Sequence, residues 1–408
     1  MTTDIKRTRV LQGAALMVSA AVALVGSGAA VAAAPGHVDG GRDPVMRDVA
    51  RQVLSVGVPG YVARIDYGRK VGVTLAGVAD RRDGRKLTVR DQFEVGSNTK
   101  TFTAVLALQL VDQGKLRLDS PVEKYLPGVV PNGRNITVRM LLQHTSGLFN
   151  YTADPDFFVD IDKRPQHVHT ENELLAVAFK HAPNFAPGTD WAYSNTNYIL
   201  IGMVLQKLTG RSLPALVEQR IAAPLGLVNT YFADPRAINT GPGYARGYSV
   251  SFAGTSPVYT DVSARPLGGW AGAAGAVIST PAELSRFFEA LLGGDLISAE
   301  QLKQMKTTVE LGEGFGEGGY GLGLMRIDSP CGTVWGHGGD TLGHHSAAVT
   351  TENGRRSAVT DATAEPSDTS PNEGVLRFVK VVQAADTVTI CRMLDKPAPQ
   401  AVMDALRS

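Results

Sequence analysis

Ser97 and Lys100 stand three residues apart near the head of EVGSNTKTFTAVLALQLVDQG, residues 94–114. On a helix, positions i and i+3 share a face, so the ammonium reaches the serine hydroxyl. A serine attacks a carbonyl only when a base takes its proton, and a lysine serves as that base only when desolvation or a second cation lowers its pKa. The residues that follow supply the desolvation. Ala104, Leu108 and Val111 form one apolar row at helical spacing, Phe102, Leu106 and Leu110 form a second, and Gly114 offers a stop, which predicts a core helix. An unpaired ammonium buried there costs several kcal/mol or shifts its pKa. The free N–H groups at the helix start are donors for an oxyanion. About one chance S-x-x-K is expected in a chain of 408 residues, so the pair gains weight only from further groups beside it.

Two stretches supply such groups. In APGTDWAYSNTNY, Tyr193 and Asn195 precede an apolar helix. A phenol beside an ammonium loses its proton more easily, and an amide offers both a donor and an acceptor to a substrate amide bond. In TVWGHGGDTLGHHS, His337 is followed by Gly338 and Gly339. There an imidazole at a strand edge presents a cation, and the glycines let substrate backbone approach. His337, His344 and His345 do not make a metal site on spacing, since no cysteine or carboxylate cluster beyond Asp340 accompanies them; neither metal nor cofactor is expected. Gly314, Gly316 and Gly319 match G-x-G-x-x-G in form, but Glu313 and Glu317 repel phosphate and no helix follows.

The elements that must position these groups are predicted as α/β. A helix over 45–56, strands over 60–67 and 71–78 and a polar turn at 80–86 open the domain. Helices over 137–143, 171–181, 197–208 and 212–222 follow, then one over 275–292 with Thr280, Pro281 and Glu283 as a capping box. Strands return at 320–328, 333–336, 346–351 and 356–363, with Asn353-Gly354 as a hairpin turn, and a helix over 372–385 closes the domain. The expectation is one antiparallel sheet built from both chain ends and flanked by helices, with a mainly helical region inserted. The corresponding division is a sheet region at 43–95 and 266–393, a helical region at 96–265 and a tail at 394–408.

At the N-terminus, Lys6, Arg7 and Arg9 precede an apolar run over 10–25 that ends in Ala32, Ala33 and Ala34, the pattern of an export signal over 1–34 with a Gly-rich linker at 35–42. The run is short and broken by glycines, and no later stretch is long and apolar enough to span a bilayer, so a secreted protein without a stable membrane anchor is expected. Outside the cytoplasm Cys331 and Cys391 can oxidise to one bridge, closing a loop worth roughly 4 kcal/mol in the chain-entropy model. Forty basic and thirty-nine acidic side chains leave +1, which gives no footprint for nucleic acid. A monomer is expected.

S-x-x-K, Y-S-N and H-x-G in this order resemble the three motifs of the penicillin-recognising serine hydrolases, closest to secreted serine D-alanyl-D-alanine carboxypeptidase/transpeptidases and class C β-lactamase-like enzymes. EVGSNTKTFTA, LLQHTSGL from Leu141, YSNTNYILIGMVLQKLTG, WAGAAGAVIS from Trp270 and YGLGL from Tyr320 extend the resemblance from about residue 48 to 391. It implies Ser97 as the acylated nucleophile, Lys100 and Tyr193 as a coupled proton-transfer pair, Asn195 as a substrate-amide contact and His337 as a cation on the opposite wall. It further implies an oxyanion hole from the N–H groups of Ser97 and Asp340. Trp270 is a cleft wall on this reading, with Phe157 or Phe158 lining the other side. Cell-wall peptides ending in D-Ala-D-Ala and β-lactams are the implied acyl substrates, with an esterase or amidase of other substrates as the alternative. This chain departs from the pattern at Met325, where an arginine that holds the substrate carboxylate is expected, and at Gly338 and Asp340, where hydroxyls are expected.

Overall fold

The computed structural model describes residues 38–39, 43–236, 238, 243–312, 314–367 and 372–408. The expected leader and most of the linker lie outside them. No helix among the described residues is long and apolar enough to cross a membrane.

An antiparallel sheet forms the spine. Its strands lie in the order Val38–Asp39, Val71–Asp80, Gly60–Asp66, Ser357–Ala362, His345–Thr350, Gly332–Asp340, Met325–Ser329, Gly318–Tyr320 and Val309–Glu310, so the two chain ends meet at the Gly60–Asp66 and Ser357–Ala362 pair. Every residue of the Ser357–Ala362 strand is buried, as a central strand covered on both faces should be. Helices Pro44–Ser55 and Glu373–Met393 cover one face and Pro281–Gly293 the other. Val349 and Ala358 accordingly join one apolar cluster, and their neighbours Ala348 and Val359 the second. The second cluster continues through the Thr99–Asp112 helix into the helices of the inserted region, among them Asn195–Thr209.

Several expected elements differ from those observed. Residues 275–292 are not one helix: Val277–Ser279 is a strand between Phe93–Glu94 and Tyr231–Phe232, and the helix begins only at Pro281. The Thr280 hydroxyl caps Glu283 N–H at 3.3 Å, but the Glu283 carboxylate accepts from Asn229 N–H and the Thr230 hydroxyl, so only half of the capping box forms. The expected strand over 320–328 is two strands joined by a bend, Gly321 to Leu324, which folds Gly323 onto the Thr99–Asp112 helix. The inserted region also carries an antiparallel hairpin, Tyr248–Ala253 with Ser256–Asp261, against which Ala364–Pro366 runs parallel.

The closing helix runs on to Met393 through DTVTIC, a stretch whose threonines argue against helix by propensity. The Thr387 and Thr389 hydroxyls donate to the carbonyls of Gln383 and Ala385 four residues back, which lets them be buried there. Residues beyond 394 form a packed helix, Gln400–Leu406, with Val402 and Leu406 buried, in place of a bare tail.

Cys331 and Cys391 form the bridge, tying the residue just before the Gly332–Asp340 strand to the closing helix across 60 residues. Replacing both cysteines by serine is expected to lower stability by about 2–4 kcal/mol. Equilibrium unfolding in guanidinium chloride should show this as a lower midpoint, and an unchanged midpoint would mean that the bridge contributes nothing.

Candidate active site

The Ser97 turn is a 3-10 turn, Gly96–Asn98, leading into the Thr99–Asp112 helix. Gly96 has φ 53°, and a Cβ on it would lie 2.7 Å from Asp340 N, so only glycine lets the turn sit against the end of the Gly332–Asp340 strand. Gly339 opens the same contact from the strand side: a Cβ there would lie 2.0 Å from Val95 O and 2.9 Å from Asn98 Nδ2. The absent side chain of Gly339 thus makes room for the serine turn rather than for substrate.

Lys100 is fully buried, with Nζ 2.8 Å from Ser97 Oγ and 2.8 Å from Ala274 O. The threonines around it are tied down as well: Thr99 Oγ1 accepts from Val277 N–H, and Thr101 and Thr103 donate to Gly323 O and Ala273 O. Burial pushes the Lys100 pKa well below 10.5, and the negative charge of Asp340 opposes this only in part. The amine is therefore neutral over a range of pH in which a free lysine is charged, and a neutral amine accepts a proton.

Tyr193 is placed with its ring under the Lys100 amine, 4.8 Å from Nζ to the centroid. Its hydroxyl is buried and faces the Ser97 hydroxyl, without meeting full hydrogen-bond geometry with a partner among the described residues. Burial pushes its pKa well above 10.0, with the Ser97 hydroxyl pulling the other way. The expectation of an easily deprotonated phenol is reversed, because desolvation outweighs the neighbouring nitrogen. His337 is corrected in the same direction. It is fully buried, its Nε2 lies 2.9 Å from the Tyr320 hydroxyl and its Nδ1 faces Gly338 O, and burial pushes its pKa down to about 3. With Nδ1–H donating to the carbonyl, Nε2 accepts from the phenol; the group is a neutral imidazole, not the cation expected.

His144, in the LLQHTSGL stretch, carries no assigned role in the sequence yet lies beneath the site with φ 63°. Its Nδ1 accepts from Ser194 N–H at 3.2 Å and from Asn197 Nδ2 at 3.1 Å, which puts its proton on Nε2. The rings of Tyr193, Tyr198, Tyr320 and Trp191 surround it. Phe315 packs edge-on to Trp191 at 4.7 Å and lies 5.7 Å from Tyr193, so the Gly-rich loop delivers an aromatic wall. The only sequence signal for Phe315 is that glycines flank it.

Other assigned residues fall less simply. Asn195 opens its helix and donates Nδ2 to Thr152 Oγ1 at 2.9 Å, which leaves its carbonyl for a substrate N–H. Trp270 and Phe158 lie on one wall rather than on opposite ones, ring centroids 6.3 Å apart, with Phe158 exposed; Phe157 is buried beneath them against Tyr151. The Asp340 side chain bonds His345 Nδ1 at 2.7 Å.

Residues 17–375 match the Beta-lactamase family. The chain belongs to that family. It is a serine hydrolase of the group that includes penicillin-binding proteins and D-alanyl-D-alanine carboxypeptidases. Penicillin-binding protein 4 of Amycolatopsis lactamdurans is 28% identical over 298 residues, 69% of this chain and 70% of that protein. A D-stereospecific amidohydrolase from Streptomyces sp. is 41% identical, with a TM-score of 0.71 over 79% of this chain and 94% of its own. The D-amino acid amidase of Ochrobactrum anthropi SV3 is 26% identical, with a TM-score of 0.71 over 85% and 99%. The shared fold puts the buried Ser97–Lys100 pair of this beta-lactamase-family protein at the junction of its sheet and helical parts.

The 2.8 Å contact lets Lys100 accept the Ser97 proton. Replacing Lys100 by Met should slow acylation by more than the roughly 10²–10⁴ of a simple general base, because the serine also loses its orienting partner. The same change removes a pH dependence of stability. Between the lowered folded pKa and 10.5 the unfolded chain binds more protons at this lysine than the folded one, so its contribution to stability rises with pH. Denaturation followed from neutral to alkaline pH should show that rise in the parent and a flatter profile in Lys100→Met. An equal slope in both would mean that the folded amine keeps its ordinary pKa.

Proposed function

We propose that the protein is an exported acyl-serine hydrolase whose preferred substrates are small amides and esters, D-aminoacyl amides foremost, rather than peptides with a free D-Ala carboxylate. The observation that carries the acyl-serine reading is the 2.8 Å contact of Ser97 Oγ with a fully buried Lys100 amine. In this reading Ser97 Oγ attacks the carbonyl carbon as Lys100 takes its proton, and the N–H groups of Ser97 and Asp340 hold the oxyanion. Tyr193 gives its proton to the leaving amine and recovers one from Lys100, and water then releases the acyl group by the reverse relay. β-Lactams acylate the same serine.

The amide preference is supported by what occupies the carboxylate end of the site. Met325 is buried within the apolar cluster that also holds Ile327 and Val334, and the Arg326 guanidinium is held by Asp328 at 3.1 Å. Neither supplies a cation to the cleft. His337 is neutral, and the charge of Asp340 acts on both Lys100 and Tyr193. The Asp340 carboxylate, one oxygen of which is bonded to His345, acts by its charge on the groups around Ser97, which disfavours a substrate carboxylate and favours a substrate ammonium. The amidohydrolase and amidase named above act on substrates of that type by their names. Export is supported by the leader pattern and by the disulfide, which oxidising compartments sustain.

The test compares kcat/KM for a D-aminoacyl amide, its N-acetyl derivative and an acyl-D-Ala-D-Ala peptide, with intact-mass detection of the penicillin adduct. The free-amine amide should be preferred, and Asp340→Asn should erase about 10–100-fold of that preference, the value of one charge-assisted hydrogen bond. A preference for the free acid that is equal in the parent and in Asp340→Asn would reject the amidase reading. No adduct on the parent, or a normal adduct on Ser97→Ala, would reject the nucleophile.

A further inference from the structure

The Glu365 carboxylate has no hydrogen-bond or ion-pair partner among the described residues, although it faces a second carboxylate. One ligand atom each of Glu365, Asp340 and His345 lie within 4.8 Å of one another. Glu365 sits on the Ala364–Pro366 strand, His345 at the start of its strand and Asp340 at the end of the neighbouring one, so three separate elements converge on one point. His345 Nδ1 is 2.7 Å from Asp340 Oδ1. Its Nε2 is 3.0 Å from Asp386 Oδ2, and Asp386 Oδ1 in turn accepts from Thr360 Oγ1 at 2.6 Å.

His345, bonded through both ring nitrogens, occupies Asp340 Oδ1 and Asp386 Oδ2. That ion-pair network accounts for everything in the cluster except Glu365. Glu365 instead faces the Asp340 carboxylate, and two carboxylates held that close repel unless a cation or a proton lies between them. A cation shared by Asp340 and Glu365 removes the conflict. The arrangement also has the outer support that metal-binding histidines have: the nitrogen away from the site donates to a carboxylate that is itself hydrogen-bonded. One imidazole nitrogen and two carboxylate oxygens suit a first-row divalent ion of the zinc class; Ca²⁺ and Mg²⁺ favour all-oxygen sets.

We infer that Asp340, His345 and Glu365 form a binding site for a zinc-class divalent cation, with Asp386 and Thr360 orienting His345. Binding replaces the proton on His345 Nδ1, which leaves to water, while Nε2–H stays on Asp386; no electron is transferred. The three ligands are invisible as a set in the sequence, where Glu365 stands well downstream of the histidines.

The full chain, stripped with EDTA, is titrated calorimetrically with ZnCl₂ in buffers of different ionisation heat, and its Co²⁺ form is examined by visible absorption. A single saturable zinc event with proton release and a ligand-field band for cobalt are expected. Glu365→Gln should weaken zinc by at least about tenfold. Its thermal unfolding in EDTA should be unchanged or raised, which separates lost binding from lost folding. Zinc should raise the Tm of the parent and not that of Glu365→Gln. The site is rejected if zinc does not saturate. It is equally rejected if uptake is the same in Glu365→Gln and His345→Gln, which would place the ion elsewhere, for instance near His167 and His169.

Discussion

An amine sealed from water is the constraint around which the chain is arranged. Lys100 has the oxygens of Ser97 and Ala274 as partners, and the opposing charge of Asp340 is too weak to outweigh desolvation. The amine therefore becomes a base without needing a second cation beside it. Holding it dry requires a helix that is buried almost all round, and such a helix can begin with polar residues only if each finds a partner. Thr99, Thr101 and Thr103 do so on the backbone at 273–277 and at Gly323, which is why the bend between two short strands reaches in to touch the helix. A methyl group on Gly323 would lie 2.9 Å from Lys100 O.

The same economy of space governs the strand opposite. Gly96 and Gly339 let the serine turn and the strand meet backbone to backbone, so the N–H groups of Ser97 and Asp340 come from two elements with nothing between them. Such a contact is only as well defined as the strand end that makes it. The closing helix fixes that strand twice: Cys391 bridges to Cys331 just before its first residue, and Asp386 reaches the side chain of its last residue through His345. The chain's last long helix is thus part of the site's support although it contributes no group to the chemistry.

The sequence made the sheet, its closure by both chain ends and the Ser97, Lys100 and Tyr193 constellation legible, because these rest on periodicity and on residue types whose chemistry is local. It misled where burial decides charge. His337 and Tyr193 read as a cation and an acidic phenol from their types, and both are reversed by desolvation, a property of the folded interior rather than of a motif. Helix ends were lost for a related reason: Thr387 and Thr389 are poor helix formers until their hydroxyls find carbonyls four residues back. His144 and Phe315 carry only weak local signals, a place in LLQHTSGL and flanking glycines, and Glu365 carries none; they matter through partners brought in from distant strands and loops.

A neutral His337 and a charged Asp340 have to be read together. In a cleft meant for a substrate carboxylate, the end of this strand would carry a cation and hydroxyl donors. Here the imidazole accepts a hydrogen bond from Tyr320 and gives its proton to Gly338 O, so it has none to offer. Making it cationic would require protonation near pH 3, where carboxylate substrates themselves begin to lose their charge. Restoring an arginine at Met325 would not repair the site, because that position packs into the apolar cluster beneath the sheet, where an unpaired guanidinium has no solvent. On the amide preference proposed above, selectivity rests on the backbone course of the strand and the burial of its neighbours together with Asp340, rather than on the residue at position 325 alone.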